Sequence, residues 1–155
     1  VPQFSIAVTI FLSGLALIIV LAVGLWRYCV KIQRQTLASA LVGEIVGILT
    51  TIETNKFEAR LHEMVTKRQS GRVSPRKVVS PFPEPVIFEA NANRLDVFNP
   101  SMVRKITHVY TLLAGVKEGL PSVADDTRQA AATLTQLQEA LGIADDVLHN
   151  LRPLL

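Results

Sequence analysis

Residues 4–26 read FSIAVTIFLSGLALIIVLAVGLW, 23 positions without one charged side chain. Ser5, Thr9 and Ser13 are the only polar members. At ~1.5 Å per residue such a helix is about 34 Å long, enough to cross a hydrocarbon layer ~30 Å thick. A Ser or Thr hydroxyl can bond back to a carbonyl of its own helix, so these three cost little in lipid. Pro2 stands just ahead, where a helix start tolerates a missing N–H. Trp26 and Tyr28 fall at the far end, at the depth where amphipathic rings prefer the headgroups. The core helix of a soluble protein does not need apolar residues around its whole circumference for this length. The stretch therefore predicts a membrane anchor.

A cleavable secretory signal is the competing reading, because Ala22, Val23 and Gly24 are small residues at a peptidase-like spacing. Apolar cores of signals run ~7–15 residues, and this one is longer with no basic residue before it. The chain opens on Val1 and not on Met, so a basic segment ahead of it stays compatible with export after cleavage. Charge gives the orientation. Arg27, Lys31 and Arg34 come directly after the span, and no acid comes before Glu44. Lys and Arg flanking a span stay on the cytoplasmic side. The expectation is a single-pass protein of the cell inner (plasma) membrane, N-terminus out, with the remainder in the cytoplasm. The lone Cys29 cannot make an intrachain disulfide; it reads as a small side chain at the interface, with palmitoylation the sharper alternative.

Working outward, the chain divides into an anchor (1–30), a juxtamembrane helix (31–70), a basic Pro-rich linker (71–85) and a C-terminal helical module (86–155). Leu37, Leu41, Ile45, Ile48 and Ile52 recur at spacings of four and three, the stripe of an amphipathic helix. Phe57, Leu61 and Met64 extend it on a shifted face. No Pro lies between Pro2 and Pro75, so the span can run on into this helix. Gly43 and Gly47 read best as small residues where another helix crosses. Pro81, Pro83 and Pro85 predict an extended linker. Lys67, Arg68, Arg72, Arg76 and Lys77 have no acid among them and are candidates for contact with anionic lipid; a solvated basic loop explains them as well. Residues 27–80 hold ten Lys/Arg against four Glu, and residues 81–155 six Lys/Arg against nine Asp/Glu. A nucleic-acid partner would want aromatic or Gly-rich interleaving, which the basic stretch lacks.

In the module, Phe88, Ala92 and Leu95 predict a short helix over 86–95. Asn99 and Pro100 then have N-cap and first-turn chemistry. Val103, Ile106, Tyr110 and Leu113 stripe the next helix, which Gly119 and Pro121 end. Ser122 and Asp125 suggest a capping box for the last helix. There Ala130, Leu134, Leu137, Leu141, Ala144, Leu148 and Leu151 keep a heptad seam. Its Leu134, Leu137, Leu141, Leu148 and Leu151 are the candidate interaction face, against the chain itself or a partner. No strand pattern or long repeat occurs. The fold class is all-α: one transmembrane helix, a long juxtamembrane helix, a Pro-rich linker and a C-terminal helical hairpin.

Motifs for phosphate, dinucleotide, zinc or nucleophilic chemistry are absent, so neither a cofactor, a metal nor a small-molecule ligand is implied, and no enzyme is expected. His62, His108 and His149 fall on three different predicted helices. One segment is dense in polar groups: Glu89, Asn91, Asn93 and Arg94, with His108 and Tyr110 further along. It is either a small ligand site or, more simply, a turn-rich junction whose Asn and Arg satisfy backbone carbonyls. The stretch VIFEANANRLDVFNPSMVRKITHVYTLL, through Phe88, Glu89, Ala90, Asn91, Arg94, Leu95, Pro100 and Tyr110, resembles one found in small uncharacterised bacterial membrane-anchored helical proteins. The resemblance covers about thirty residues and implies the layout alone. The expected function is a membrane-anchored interaction or scaffold protein, an accessory subunit of a membrane complex or a self-associating module. Its expected partners are the bilayer and protein. A ligand-binding sensor is second and an enzyme last.

Overall fold

The computed structural model describes residues 2–69, 82–122 and 127–155, and the side chains of 11–66, 82–121 and 128–155. All regular structure in them is helical, in five α-helices and three short 3₁₀ segments. α1 (Pro2–Thr54) is one uninterrupted helix of 53 residues. Its first part is bare: every described side chain from Phe11 to Cys29 is exposed. Its second part buries one stripe, Leu37, Ala38, Leu41, Ile45, Ile48 and Ile52, each below 5% exposure. The periodic positions named from the sequence are therefore the ones that face the core.

The juxtamembrane helix does not continue to residue 70 without a break. α1 stops at Thr54, and α2 (Phe57–Gln69) starts after a two-residue turn. Lys56 sits at φ 52° there, and its N–H reaches the carbonyl of Glu53. A left-handed residue after a helix end is a common stop, normally taken by Gly or Asn. The turn swings Phe57 and Leu61 into full burial, which accounts for the shifted face.

Phe82 opens the next described stretch, buried with its ring edge-on to Phe57 at 5.6 Å and 75°. Pro83 to Pro85 have no regular structure. α3 (Val86–Asn91) then passes into a 3₁₀ segment, Ala92–Val97. This change corrects the expectation of one helix over residues 86–95. The tighter winding turns Ala92 to solvent, while Phe88 is half-buried and Leu95 buried.

α4 (Pro100–Gly119) begins as its sequence demands, with the Asn99 side chain accepting the Met102 N–H at 2.8 Å and Pro100 at the first turn. α5 (Thr127–Leu151) packs along it. Lys105 bonds Asp146, His108 lies 3.7 Å from Glu139, and Gly119 abuts Thr133. Each step up α4 meets a step down α5, so the two helices are antiparallel. At Gly119 a Cβ would stand 2.6 Å from the Thr133 hydroxyl, so glycine is what lets the helices approach. The capping box at Ser122 and Asp125 reaches outside the described residues.

These elements share one core. Ile106, Val109 and Val116 of α4 and Ala130, Leu137, Ala144, Val147 and Leu151 of α5 are its most enclosed members alongside the α1 stripe. α5 also packs on α2 and α1. In α4 the buried line runs through Met102, Ile106, Val109, Leu113 and Val116, one position off the expected stripe at Val103, which is half-buried.

Candidate functional site

Glu44, the first acid of the chain, joins three elements of the fold. The stripe residues Leu41, Ile45 and Ile48 press α1 into the core, and Glu44 rides at the edge of that buried face, half-exposed. Its Oε1 accepts the Ile87 N–H, and its Oε2 accepts the Phe88 N–H at 2.9 Å and the Tyr110 hydroxyl at 2.8 Å. The first N–H groups of a helix have no partner inside it. α3 has Pro85 at its N-cap, which offers no side-chain acceptor. Glu44 supplies the missing cap from another helix, with charge-assisted bonds.

The surrounding groups lock this arrangement. The Phe88 ring stacks on Tyr110, centroids 4.0 Å apart and 15° from parallel. Asn91 donates back to the Ile87 carbonyl at 2.9 Å and steadies the short helix from within. Burial, then the bond to Glu44, then the carboxylate's charge push the Tyr110 hydroxyl well above its ordinary pKa. Tyr110 is therefore a neutral donor through the whole physiological range. Glu84, just ahead of α3, pairs with Lys117 of α4 at 2.7 Å. That hydrogen bond first, and the ammonium charge second, hold the Glu84 carboxyl below the usual carboxylate range. The segment after the Pro-rich linker is thus pinned to α1 by Glu44 and to α4 by Glu84.

The polar residues picked out in the sequence do not converge. Tyr110 alone joins Glu44. Glu89 is exposed, beside an open groove of about 390 Å³ that it lines with Ile48, Phe82, Pro83, Leu113 and Lys117. Arg94 is exposed on the 3₁₀ segment and reaches only the Asn91 Oδ1, at 3.4 Å. Asn93 is exposed beside it. His108 faces Glu139 across the α4–α5 contact, away from Tyr110. Among the described residues no three His, Cys, Asp or Glu side chains come together as metal ligands do. In the seam, Leu137, Leu148 and Leu151 are buried within the chain, and Leu134 and Leu141 are half-buried against the same core. Lys67 and Arg68 belong to the backbone of α2, but their side chains, with Arg72, Arg76 and Lys77, lie outside the described residues.

Sequence reasoning missed Glu44. Its signal was present: a single carboxylate inside an apolar amphipathic stretch, with the next acid not before Glu53. Its partners lie 43 to 66 residues away along the chain, beyond any local pattern. Comparison with family models, with curated proteins and with solved structures finds no match for this chain.

Proposed function

We propose that this protein is a single-pass membrane-anchored helical module that holds itself or a membrane complex together by protein contacts. The observation that carries this reading is the change of solvent along α1. Phe11, Leu12, Leu15, Leu17, Ile18, Ile19, Val20, Leu21, Val23 and Leu25 are all exposed, and nothing in the described chain covers them. The mean hydropathy of the most apolar window is 2.0, with none of it buried. At ~0.3–0.6 kcal/mol for each Leu, Ile, Phe or Val at mid-membrane, these ten give lipid insertion about 3–6 kcal/mol. Arg27, Lys31 and Arg34 support an N-terminus outside and the core in the cytoplasm.

The interaction half of the reading draws on the other side of α1. Ser39, Gly43, Val46, Gly47 and Thr50 stay exposed beyond the span. No helix of the described chain crosses there, and a Cβ at Gly43 or Gly47 would meet nothing within 4 Å. Small residues at helical spacing let a second backbone come close. The Thr50 and Thr51 hydroxyls bond back to Val46 and Gly47, so they add little polar relief to that face.

Crosslinking of the full chain in mild detergent, with identification of co-purifying protein, tests the reading. The expected result is a discrete oligomer or complex that Gly43→Leu and Gly47→Leu weaken without unfolding the monomer, since leucine is the better helix former and no described side chain is in its way. A strict monomer with nothing bound refutes the scaffold role. Protease protection in sealed vesicles tests the orientation separately.

A further inference from the structure

We propose that the end of the helical core nearest the span is a docking face for anionic phospholipid headgroups. The inference rests on the reading of α1 as a membrane span and goes beyond it, because it concerns α4, α5 and the 3₁₀ segment.

The fold sets which end this is. Tyr110 bonds Glu44, and Ile48 shares its groove with Leu113 and Lys117. α4 therefore runs parallel to α1. Ten residues back along both helices puts Pro100 level with Arg34, about 15 Å below the Glu44 bond. α5 runs the other way, and Lys105–Asp146 brings Arg152 to the same level. The closing 3₁₀ turn, Arg152–Leu154, packs on α1, as does the 3₁₀ segment that carries Arg94. Arg34 is seven residues past Arg27, a rise of roughly 10 Å. Headgroups occupy roughly the first 5–8 Å outside the hydrocarbon. The rigid helix thus holds this end of the core within about one Debye length of the phosphates at physiological salt, ~8 Å.

The charges at this end fit such a surface. Arg27, Lys31, Arg94, Arg104 and Arg152 are exposed, and Arg34 is half-buried. On α1, the 3₁₀ segment Ala92–Val97, α4 and α5, Asp96 is the one described acid below the level of the Lys105–Asp146 pair. The buried Nε of Arg34 has no hydrogen-bond partner among the described residues. The opposite end mixes its exposed charges, with Glu53, Glu58, Glu84, Glu89 and Glu118 beside Lys56, Arg60 and Lys117, so the excess of basic groups is local to the end nearest the span. None of these arginines belongs to the linker cluster at residues 67–77. The continuous α1 tilts as a body in the bilayer, and each basic side chain near an anionic surface shifts the ratio of orientations with this end on the phosphates (docked) to those tilted away (lifted) about fivefold.

The test uses the full chain in nanodiscs of zwitterionic lipid, with and without an anionic phospholipid. Cys29 is the only cysteine. A Cys29→Ser, Ser101→Cys chain takes a fluorophore at position 101, an exposed site on the first turn of α4. Nitroxide on the lipid headgroup reads docking, and brominated acyl chains quenching Trp26, the sole tryptophan, read insertion. Position 101 should be quenched several-fold more in the anionic discs, and the excess should fade with salt. Arg94→Gln, Arg104→Gln and Arg152→Gln, made one at a time, should each lower the docked-to-lifted ratio about fivefold. Equal quenching at 101 in both lipids, with Trp26 quenched, overturns the docking face and leaves the anchor standing. An unquenched Trp26 overturns the span, and the docking face with it.

Discussion

Removing the Glu44 carboxylate should loosen the segment after the linker before it unfolds the rest. Glu44→Ala leaves three donors without their acceptor: the Ile87 and Phe88 N–H groups and the Tyr110 hydroxyl. A hydrogen bond to a charged group contributes ~1.5–3 kcal/mol, and an unsatisfied buried donor costs ~1–3 kcal/mol. The site is only half-buried, so water replaces part of the loss. The low end of the range for three bonds gives about 3–4 kcal/mol. Glu44→Gln keeps one acceptor oxygen and loses the charge, so about half that is expected. A domain has only ~5–15 kcal/mol in all, and 3 kcal/mol lowers the midpoint of a chain this size by roughly 6–12 °C. Thermal unfolding of the full chain in mild detergent measures the sum. Amide exchange at Ile87 and Phe88 measures the local effect, which should rise in Glu44→Ala well before exchange in α5 does. A cycle with Tyr110→Phe separates the hydroxyl's share. A Glu44→Ala chain within about 0.5 kcal/mol of the parent, the scatter of ordinary surface changes, would refute the capping argument.

Three other perturbations have defined outcomes. Gly119→Ala drives a Cβ to 2.6 Å from the Thr133 hydroxyl and 3.1 Å from Gln129, so it should cost about 1–3 kcal/mol in thermal unfolding by prising α4 from α5. Lys56→Gly relieves a left-handed residue and should stabilise by up to ~1 kcal/mol, less than the full strain because glycine also frees the unfolded chain. Tyr110 has a folded pKa above its unfolded value of ~10, so its contribution is complete below pH ~10 and is lost as pH climbs further. Stability should fall above that pH more steeply in the parent than in Tyr110→Phe, and phenolate absorbance from Tyr110 should appear only as the fold is lost.

The parts of this fold that could be read from the sequence are those fixed by local spacing. The α1 stripe from Leu37 to Ile52 shows itself because a period near 3.6 can serve only one buried face. The Asn99–Pro100 start of α4 shows itself because capping chemistry is confined to four residues. The α1–α2 break did not, since Lys56 is a residue that rarely adopts positive φ and gives no turn signal. The switch from α3 to 3₁₀ at Ala92 was equally silent, because both windings accept the same residues. The candidate polar cluster failed for a further reason. Glu89, Asn93 and Arg94 are near one another in sequence, yet the short helix and its 3₁₀ extension fan them around the axis into solvent. The carboxylate that does organise the region stands on a different helix, chosen by packing and by no motif.

Glu44 also ties the bare apolar part of α1 to the helical core. α1 is continuous, so the exposed apolar residues at 11–28 and the buried stripe from Leu37 turn as one body. The chain beyond the Pro-rich linker could in principle have hung free, since a proline run fixes direction but no contact. It does not hang free: α4 and α5 share the core with α1 and α2, and α1 caps α3, which lacks a cap of its own. The bond helps fix the level of α4 along α1, through Tyr110 on the same carboxylate. With that level fixed, the antiparallel α5 returns its last turn toward the bare apolar part of α1. The level of Arg104 and Arg152 thus follows from core packing, with one carboxylate ten residues above Arg34 fixing the register.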